Sequence, residues 1–407
     1  MLTLKMAYRN LWRNKRRTGL TILAMVVASS MLMLAIGILN GMIDDVIGSA
    51  TDQYTGHIRI TKAGYPDDRD LYKSLDHYQP ILGKVDRMPE VIAASPRLRS
   101  FGLFSLGNRT RAVEIMGIKP ELEKKVTTFS KLLIHGTFIS RPGQVVIGEV
   151  LARKLKAGVG SQLVYLTMAA DGSIGNDLLT VAGIFKTGSL DHDGSLAMVS
   201  LSWLEDLLVY SGHIHEIAIR IKKAGLASET AKKMALELSK PSILVMSWQE
   251  ILPAMKQALD FYDIYILIVL FILYMATGLG IINTFFMITY ERSKEFGLML
   301  SLGMTPREVR SLMVNEAGIM GIISMIFGGL LGLGLITLLY FRGLDLSAWV
   351  TPVSYLGATM QPVLHTKFSW QGIFYPITFL VVTSIASAYI PAWRASKLDP
   401  VQALRRI

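Results

Sequence analysis

Four stretches of this sequence, residues 18–43, 264–290, 317–341 and 368–393, run without a single charged side chain. A helix needs about 20 apolar residues to cross the hydrocarbon core of a bilayer, so each stretch is long enough to span. The first is separated from the other three by 220 largely polar residues, 44–263. The layout predicts one membrane helix, a large domain on one side of the bilayer, and three further membrane helices. Composition agrees: 51% of the 407 residues are hydrophobic, 18% are charged and the mean hydropathy is +0.41. Soluble chains carry about a quarter charged residues.

The net charge of +11 would suit a nucleic-acid partner if it formed a patch. Instead it sits on membrane flanks. Residues 1–17 hold Lys5, Arg9, Arg13, Lys15, Arg16 and Arg17 and no acid, and the tail after the fourth stretch adds Arg394, Lys397, Arg405 and Arg406 against Asp399. The segment 44–263 is nearly balanced, with 26 basic and 25 acidic residues. Basic flanks mark the cytoplasmic side. Both termini are expected there, with the large segment outside and no nucleic acid bound. There is no cysteine, which excludes thiolate metal and redox sites. The first stretch is too long for the apolar core of a signal peptide and is read as an uncleaved signal anchor.

Residues 1–17 show Leu4, Tyr8, Leu11 and Trp12 at helical spacing among the bases, as in a helix lying on a membrane surface. The outer segment alternates strand-like runs (57–61, 101–106, 112–118, 145–147, 163–166, 179–185, 197–200, 217–221 and 243–246) with helical ones (76–87, 150–155, 201–209 and 227–239). That mixture predicts an α+β domain. Residues 62–71 read as a loop, and the regions of Asn108 and 171–176 as hairpin tips. From Trp248 the pattern is helical through Tyr290, a stalk running into the second span. Gly328 and Gly332 in the third span and Gly37 and Gly41 in the first form G-x-x-x-G pairs suited to close helix packing. Asn283 is expected to bond a neighbouring helix. A final short helix is expected from Pro400.

The turn ERSKEFGLMLSLGMTPREVR, residues 291–310, carries the most information. Glu291 and Lys294, and Arg292 and Glu295, are opposite charges three apart. Gly303 is a helix stop. Thr305, Pro306 and Glu308 form a capping box with proline at the first helical position. The turn is therefore a short amphipathic helix, a break, and a new helix entering span three. It is either a knob suited to a cleft in a soluble partner or a plain solvated connection.

With AYRNLWRNKRRT at the start and PAWRASKLDPVQALR in the tail, this turn resembles the FtsX/MacB-type ABC permease family along the whole chain. The phrases QVVIGEVLARKLKAGVG and LLTVAGIFKTGSLDHDGSLAMVSLSWLEDLL are most similar to its lipoprotein-releasing branch, LolC and LolE. The opening RNLWRNKRRT is closer to the wider MacB-like set. The resemblance implies a four-helix (1 + 3) membrane protein of the bacterial inner membrane with a periplasmic α+β domain. Its segments are 1–17 cytoplasmic, 18–43 first span, 44–250 periplasmic domain, 251–290 stalk and second span, 291–310 coupling helix, 311–341 third span, 342–367 periplasmic loop, 368–393 fourth span and 394–407 tail. It implies a cytoplasmic ABC ATPase dimer that binds ATP and Mg, with no cofactor in this chain. It also implies a second permease subunit, a lipoprotein substrate and a periplasmic carrier. Glu291, Arg292, Glu295, Gly297, Gly303 and Pro306 match the coupling motif. Met31, Met33 and Leu34 are candidates for sheltering a lipid anchor between spans one and two. The rival implications are MacB-like efflux and FtsX-like regulation of a cell-wall hydrolase.

No G-x-x-x-x-G-K-[ST], H-E-x-x-H or G-x-S-x-G occurs, so the chain reads as a non-catalytic subunit. Asp191–Gly194 reads as a solvated hairpin tip, and His213 and His215 as surface histidines.

Overall fold

A computed structural model describes residues 2–13, 15–238, 240–349, 353–355, 358–360 and 363–397. The expected helix from Pro400 lies outside them. The chain divides into two compact units, Met1–Asp44 with Asp260–Ala348 and Val363–Ile407, and Asp45–Leu259 with Trp349–Pro362.

The first unit is helical, and two of its helices extend past its bounds. Helix α1 is Leu2–Arg13, α2 is Lys15–Ala50, α3 is Pro253–Glu291, α4 is Ser293–Ser301, α5 is Pro306–Arg342 and α6 is Trp370–Ala395. Among the described residues, α2, α3, α5 and α6 are long and apolar enough to cross a membrane. Helix α3 begins only after Leu252, whose φ of −123° and ψ of 65° break it from the turn at Trp248. From there its 39 residues run about 58 Å. Pro376 and Pro391 lie inside α6 without ending it.

Small residues set the packing. Gly328 lies against Val26 and Ser29 of α2, and Gly332 against Met33. Gly321 of α5 meets Ser384 of α6, whose hydroxyl donates to the Ala317 carbonyl at 2.9 Å. Helix α5 therefore touches both α2 and α6 at glycines, small residues that let helices approach closely. Gly41 faces the His365 carbonyl, which a β-carbon would approach to 1.8 Å. Asn283 is exposed on α3 rather than turned into this bundle, because the inward face there is taken by Ile281 and Phe285.

The second unit holds a mixed sheet. Its strands are β1 Ile58–Lys62, β2 Val91–Leu106, β3 Arg109–Ile118, β4 Leu133–Gly136, β5 Gln144–Gly148, β6 Gln162–Met168, β7 Ile174–Phe185, β8 Leu196–Ser200, β9 Glu216–Ile221 and β10 Ile243–Ser247. Their order is β10-β1-β9-β2-β3-β8-β5-β7-β4, with β6 bridging β2 and β7. Only β3/β8 and β5/β7 pair in parallel among these strands. The α+β expectation is met. Strand β2 starts ten residues before the predicted run, which Pro96, Arg97 and Arg99 disguised. Residues 62–71 contain a short helix, Tyr65–Asp68, rather than only loop.

Those two arginines are buried. Arg97 bonds Glu123 of the helix Pro120–Val126 through Nη2 at 2.6 Å and Nε at 3.2 Å, Glu216 at 3.2 Å, and the Tyr54 carbonyl at 2.7 Å. Arg99 bonds Glu216 at 2.8 Å and reaches Glu114 and the Tyr54 hydroxyl. Arg59 lies 3.1 Å from Glu216. Burial pushes the Glu216 carboxyl up, but the three guanidiniums outweigh it and hold it well below the usual range.

Two readings are corrected here. His215 is 1% exposed and stacks on Tyr65 at 4.7 Å, so it is a core residue. Asp191–Gly194 belongs to the short helix Leu190–Ser195, and the buried Asp193 accepts bonds from the Thr187 amide and hydroxyl and the Gly188 amide.

Candidate coupling site

The turn between α3 and α5 is built as its residues dictate. Arg292 (φ −96°, ψ 12°) interrupts the helix for one residue, and α4 follows. Gly303 has φ +97°, the left-handed conformation that closes a helix. Its amide bonds Leu300 O at 3.1 Å, and the Met304 amide bonds Met299 O at 3.0 Å. The Thr305 amide and hydroxyl both donate to Glu308 at 2.8 Å, and the Glu308 amide donates to Thr305 Oγ1 at 3.4 Å. Pro306 opens α5.

Phe296 and Gly297 face inward. Phe296 joins a core with Val309, Leu312 and Met313 of α5 and Ala7 and Leu11 of α1. Leu298 and Leu302 point out, 50% and 80% exposed. Glu291 is also exposed. The turn thus packs Phe296 inward and presents Leu298 and Leu302 outward.

A charged network lies on the underside. Arg292 donates from Nε to Glu295 at 2.9 Å and from Nη1 to both oxygens of Glu316 at 3.1 Å. Its guanidinium also sits 5.1 Å over the Phe296 ring. Asn10 Nδ2 donates to Glu316 at 2.8 Å, and Arg13 bonds Glu295. A cavity of about 270 Å³ opens among these groups. Burial lowers the Arg292 guanidinium, but Glu316 and Glu295 raise it above its ordinary value. Partial burial raises Glu295, yet the bonds from Arg292 and Arg13 bring it below the usual carboxylate range. Both residues therefore stay charged at neutral pH.

Glu291, Arg292, Glu295, Gly297, Gly303 and Pro306 are thus gathered in one turn. Asn10, Arg13 and Glu316 were missed. Glu316 stands one residue before an uncharged stretch, which was the available signal.

An apolar cleft lies between α2 and α3. About 330 Å³ is lined by Ala28, Met31, Leu32, Leu273, Tyr274 and Thr277, with Leu380. A second hollow of about 440 Å³ shares Ala28 and Thr277 with it. Met31 lines this cleft. Met33 does not: it is 0% exposed and packs on Gly332 of α5, so its assignment to the gap is corrected. Leu34 is half-buried and outside the lining.

The fold and turn define a polytopic membrane protein with a mixed α/β domain after its first span and a short helical turn between its second and third. The family described as MacB-like periplasmic core domain matches residues 18–235, and that described as FtsX-like permease C-terminal matches residues 267–400. The chain belongs to the FtsX/MacB-type ABC transporter permeases. The lipoprotein-releasing system transmembrane protein LolC of Xylella fastidiosa is 22% identical over 97% of this chain and 96% of that protein. The macrolide export ATP-binding/permease protein MacB of Photorhabdus laumondii is 23% identical over 98% of this chain, which spans 60% of that protein. The periplasmic region of MacB from Actinobacillus actinomycetemcomitans superposes with a TM-score of 0.38 at 14% identity, covering 54% of this chain and 97% of that structure.

Proposed function

We propose that this permease subunit releases lipoproteins from the outer leaflet of a bacterial inner membrane to a periplasmic carrier, by transmitting motion rather than by opening a channel. Both termini and the α3–α5 turn face the cytoplasm, and the α/β domain faces the periplasm. A separate ABC ATPase dimer binds ATP and Mg and docks on the ridge of Leu298 and Leu302. A second permease, the same chain or a paralogue, completes the complex. The reading is carried by the end-to-end match with LolC.

The α2/α3 cleft supports it. Extracting an acyl chain costs about 0.8 kcal/mol per CH₂, so a multiply acylated anchor needs both power and an apolar shelter. Met31 is suited to such a wall, since methionine adapts to varied chains. The match with MacB favours a second reading, efflux of a small molecule or peptide with an adaptor.

The experiment is transfer in proteoliposomes. The complex should pass a lipoprotein to soluble carrier only with ATP. Retention of the lipoprotein while the ATPase remains stimulated by the permease would reject release.

A further inference from the structure

Helix α1 has two different apolar faces. Ala7 and Leu11 are buried, 0% and 6% exposed, in the core beneath α4. Leu4, Tyr8 and Trp12 are 55%, 54% and 55% exposed. At 100° per residue these three lie within about 80° of one another. The ring of Tyr8 meets that of Trp12 edge-on at 6.3 Å. Lys5 and Arg9 are exposed along the adjoining edge, and residues 1–17 contain no acid. Helix α2, with the first uncharged stretch from residue 18, begins two residues after α1 ends, so α1 lies at the mouth of a span.

A soluble partner would have to cover three large apolar side chains and tolerate an acid-free basic border. A bilayer surface does both: aromatic rings settle at headgroup depth, and lysine and arginine meet anionic lipid. On its other sides α1 holds the turn, through Asn10 to Glu316 at 2.8 Å and through Arg13 to Glu295.

We propose that α1 is a lipid-held brace: the Leu4–Tyr8–Trp12 face docks on a bilayer surface carrying anionic headgroups, and Asn10 and Arg13 convey that docking to the α4 turn. The inference rests on the permease reading but not on the cargo. Anionic lipid then acts as a positive regulator of ATPase coupling. Loss of Lys5 and Arg9 weakens docking by about five-fold per charge, and added salt does the same.

The chain contains no cysteine, so Tyr8→Cys in the full-length protein gives one labelling site for a fluorophore, with Leu4→Cys as a second. In phosphatidylglycerol vesicles the label should be quenched by lipid-borne quencher and shielded from aqueous iodide. In phosphatidylcholine vesicles, or with Lys5→Gln/Arg9→Gln, the shielding should fall several-fold. The permease–ATPase complex should hydrolyse ATP faster with phosphatidylglycerol, and the Lys5→Gln/Arg9→Gln complex should lose that response while still co-purifying. Labels at both positions that stay iodide-accessible in anionic vesicles would overturn the proposal. So would shielding supplied by the ATPase in lipid-free detergent, or an ATPase rate indifferent to anionic lipid. No lipoprotein enters this test, so failure of release and failure of the brace are separate results.

Discussion

Arg292 sets one guanidinium nitrogen 3.1 Å from each carboxylate oxygen of Glu316, 24 positions away along the chain. The pair ties the residue that joins α3 to α4 to the third turn of α5. Glu316 is 3% exposed, and a buried partner left alone costs roughly 3 kcal/mol. Glu316→Ala is expected to destabilise the permease by about that amount, and Glu316→Gln by less, because an amide oxygen still accepts from Arg292. Thermal inactivation in detergent would measure it. Equal melting of the three proteins would show that the pair holds nothing.

Glu295 is a different case, since its side chain is 36% exposed. Glu295→Lys removes the acceptor for Arg292 and Arg13 and adds a cation beside Lys294. Exposed charge effects are about 1 kcal/mol or less and are screened by salt. Expression should hold, capture of the ATPase should weaken several-fold at low salt, and the deficit should shrink at high salt. Unaltered capture would mean that the Glu295 network beneath the turn does not support docking.

The turn was readable because each of its signals is local: Gly303, Thr305, Pro306 and Glu308 act on neighbours within a few residues. The spans were readable because lipid imposes length. What stayed hidden depends on distant partners. Arg97 and Arg99 look like loop residues until Glu216, some 119 positions from Arg97, supplies the charge that lets β2 bury them. His215 looks superficial until Tyr65 covers it. Met33 and Met31 are two residues apart on one helix, and only the placement of Gly332 decides that Met33 faces α5 while Met31 faces the cleft.

That placement is testable. A β-carbon at Gly328 would stand 2.0 Å from the Ser29 hydroxyl, whereas one at Gly334 meets nothing within 4 Å. Overpacking typically costs 1–3 kcal/mol, so Gly328→Ala should lower stability by about that much, and Gly334→Ala should be neutral or slightly stabilising. Ser29→Ala removes the clashing oxygen, and the Gly328→Ala/Ser29→Ala double variant should recover most of the loss. Additive losses in this cycle would mean that α2 and α5 do not meet at these residues.

The Arg97–Glu123 pair is wholly buried, 0% exposed on both sides. Arg97→Met leaves Glu123 and Glu216 sharing fewer cations inside the domain and frees the Tyr54 carbonyl. Breaking such a pair costs about 3–5 kcal/mol. The urea midpoint of the α/β domain, followed in the intact protein, should fall accordingly. Exchange of Arg97 and Glu123 together for apolar residues should cost less than Arg97→Met alone, because Glu216 keeps Arg59 and Arg99 as partners.

Acid should loosen the same domain for a reason visible at His215. Its Nδ1 accepts the Arg99 amide at 3.0 Å and its Nε2 donates to the Leu71 carbonyl at 2.9 Å, an arrangement that fits the neutral ring with its proton on Nε2. Protonating Nδ1 would break the first bond. Burial depresses the pKa; the Leu71 bond raises it only in part, and Arg99 adds to the depression. The unfolded chain therefore takes up the proton first. The stabilisation is complete above about pH 6.5 and is lost as pH falls from there towards the folded value, at up to about 1.4 kcal/mol per pH unit. His192, also depressed by burial and then by Arg99, contributes with the same sign. Glu216, held low by its arginines, keeps its contribution until pH drops below the ordinary carboxylate range. Melting temperature should thus decline between pH 7 and pH 5, and His215→Gln should flatten part of that decline while lowering stability at pH 8. A melting temperature constant across this interval, or an unchanged slope in His215→Gln, would mean that His215 does not stay neutral in the fold.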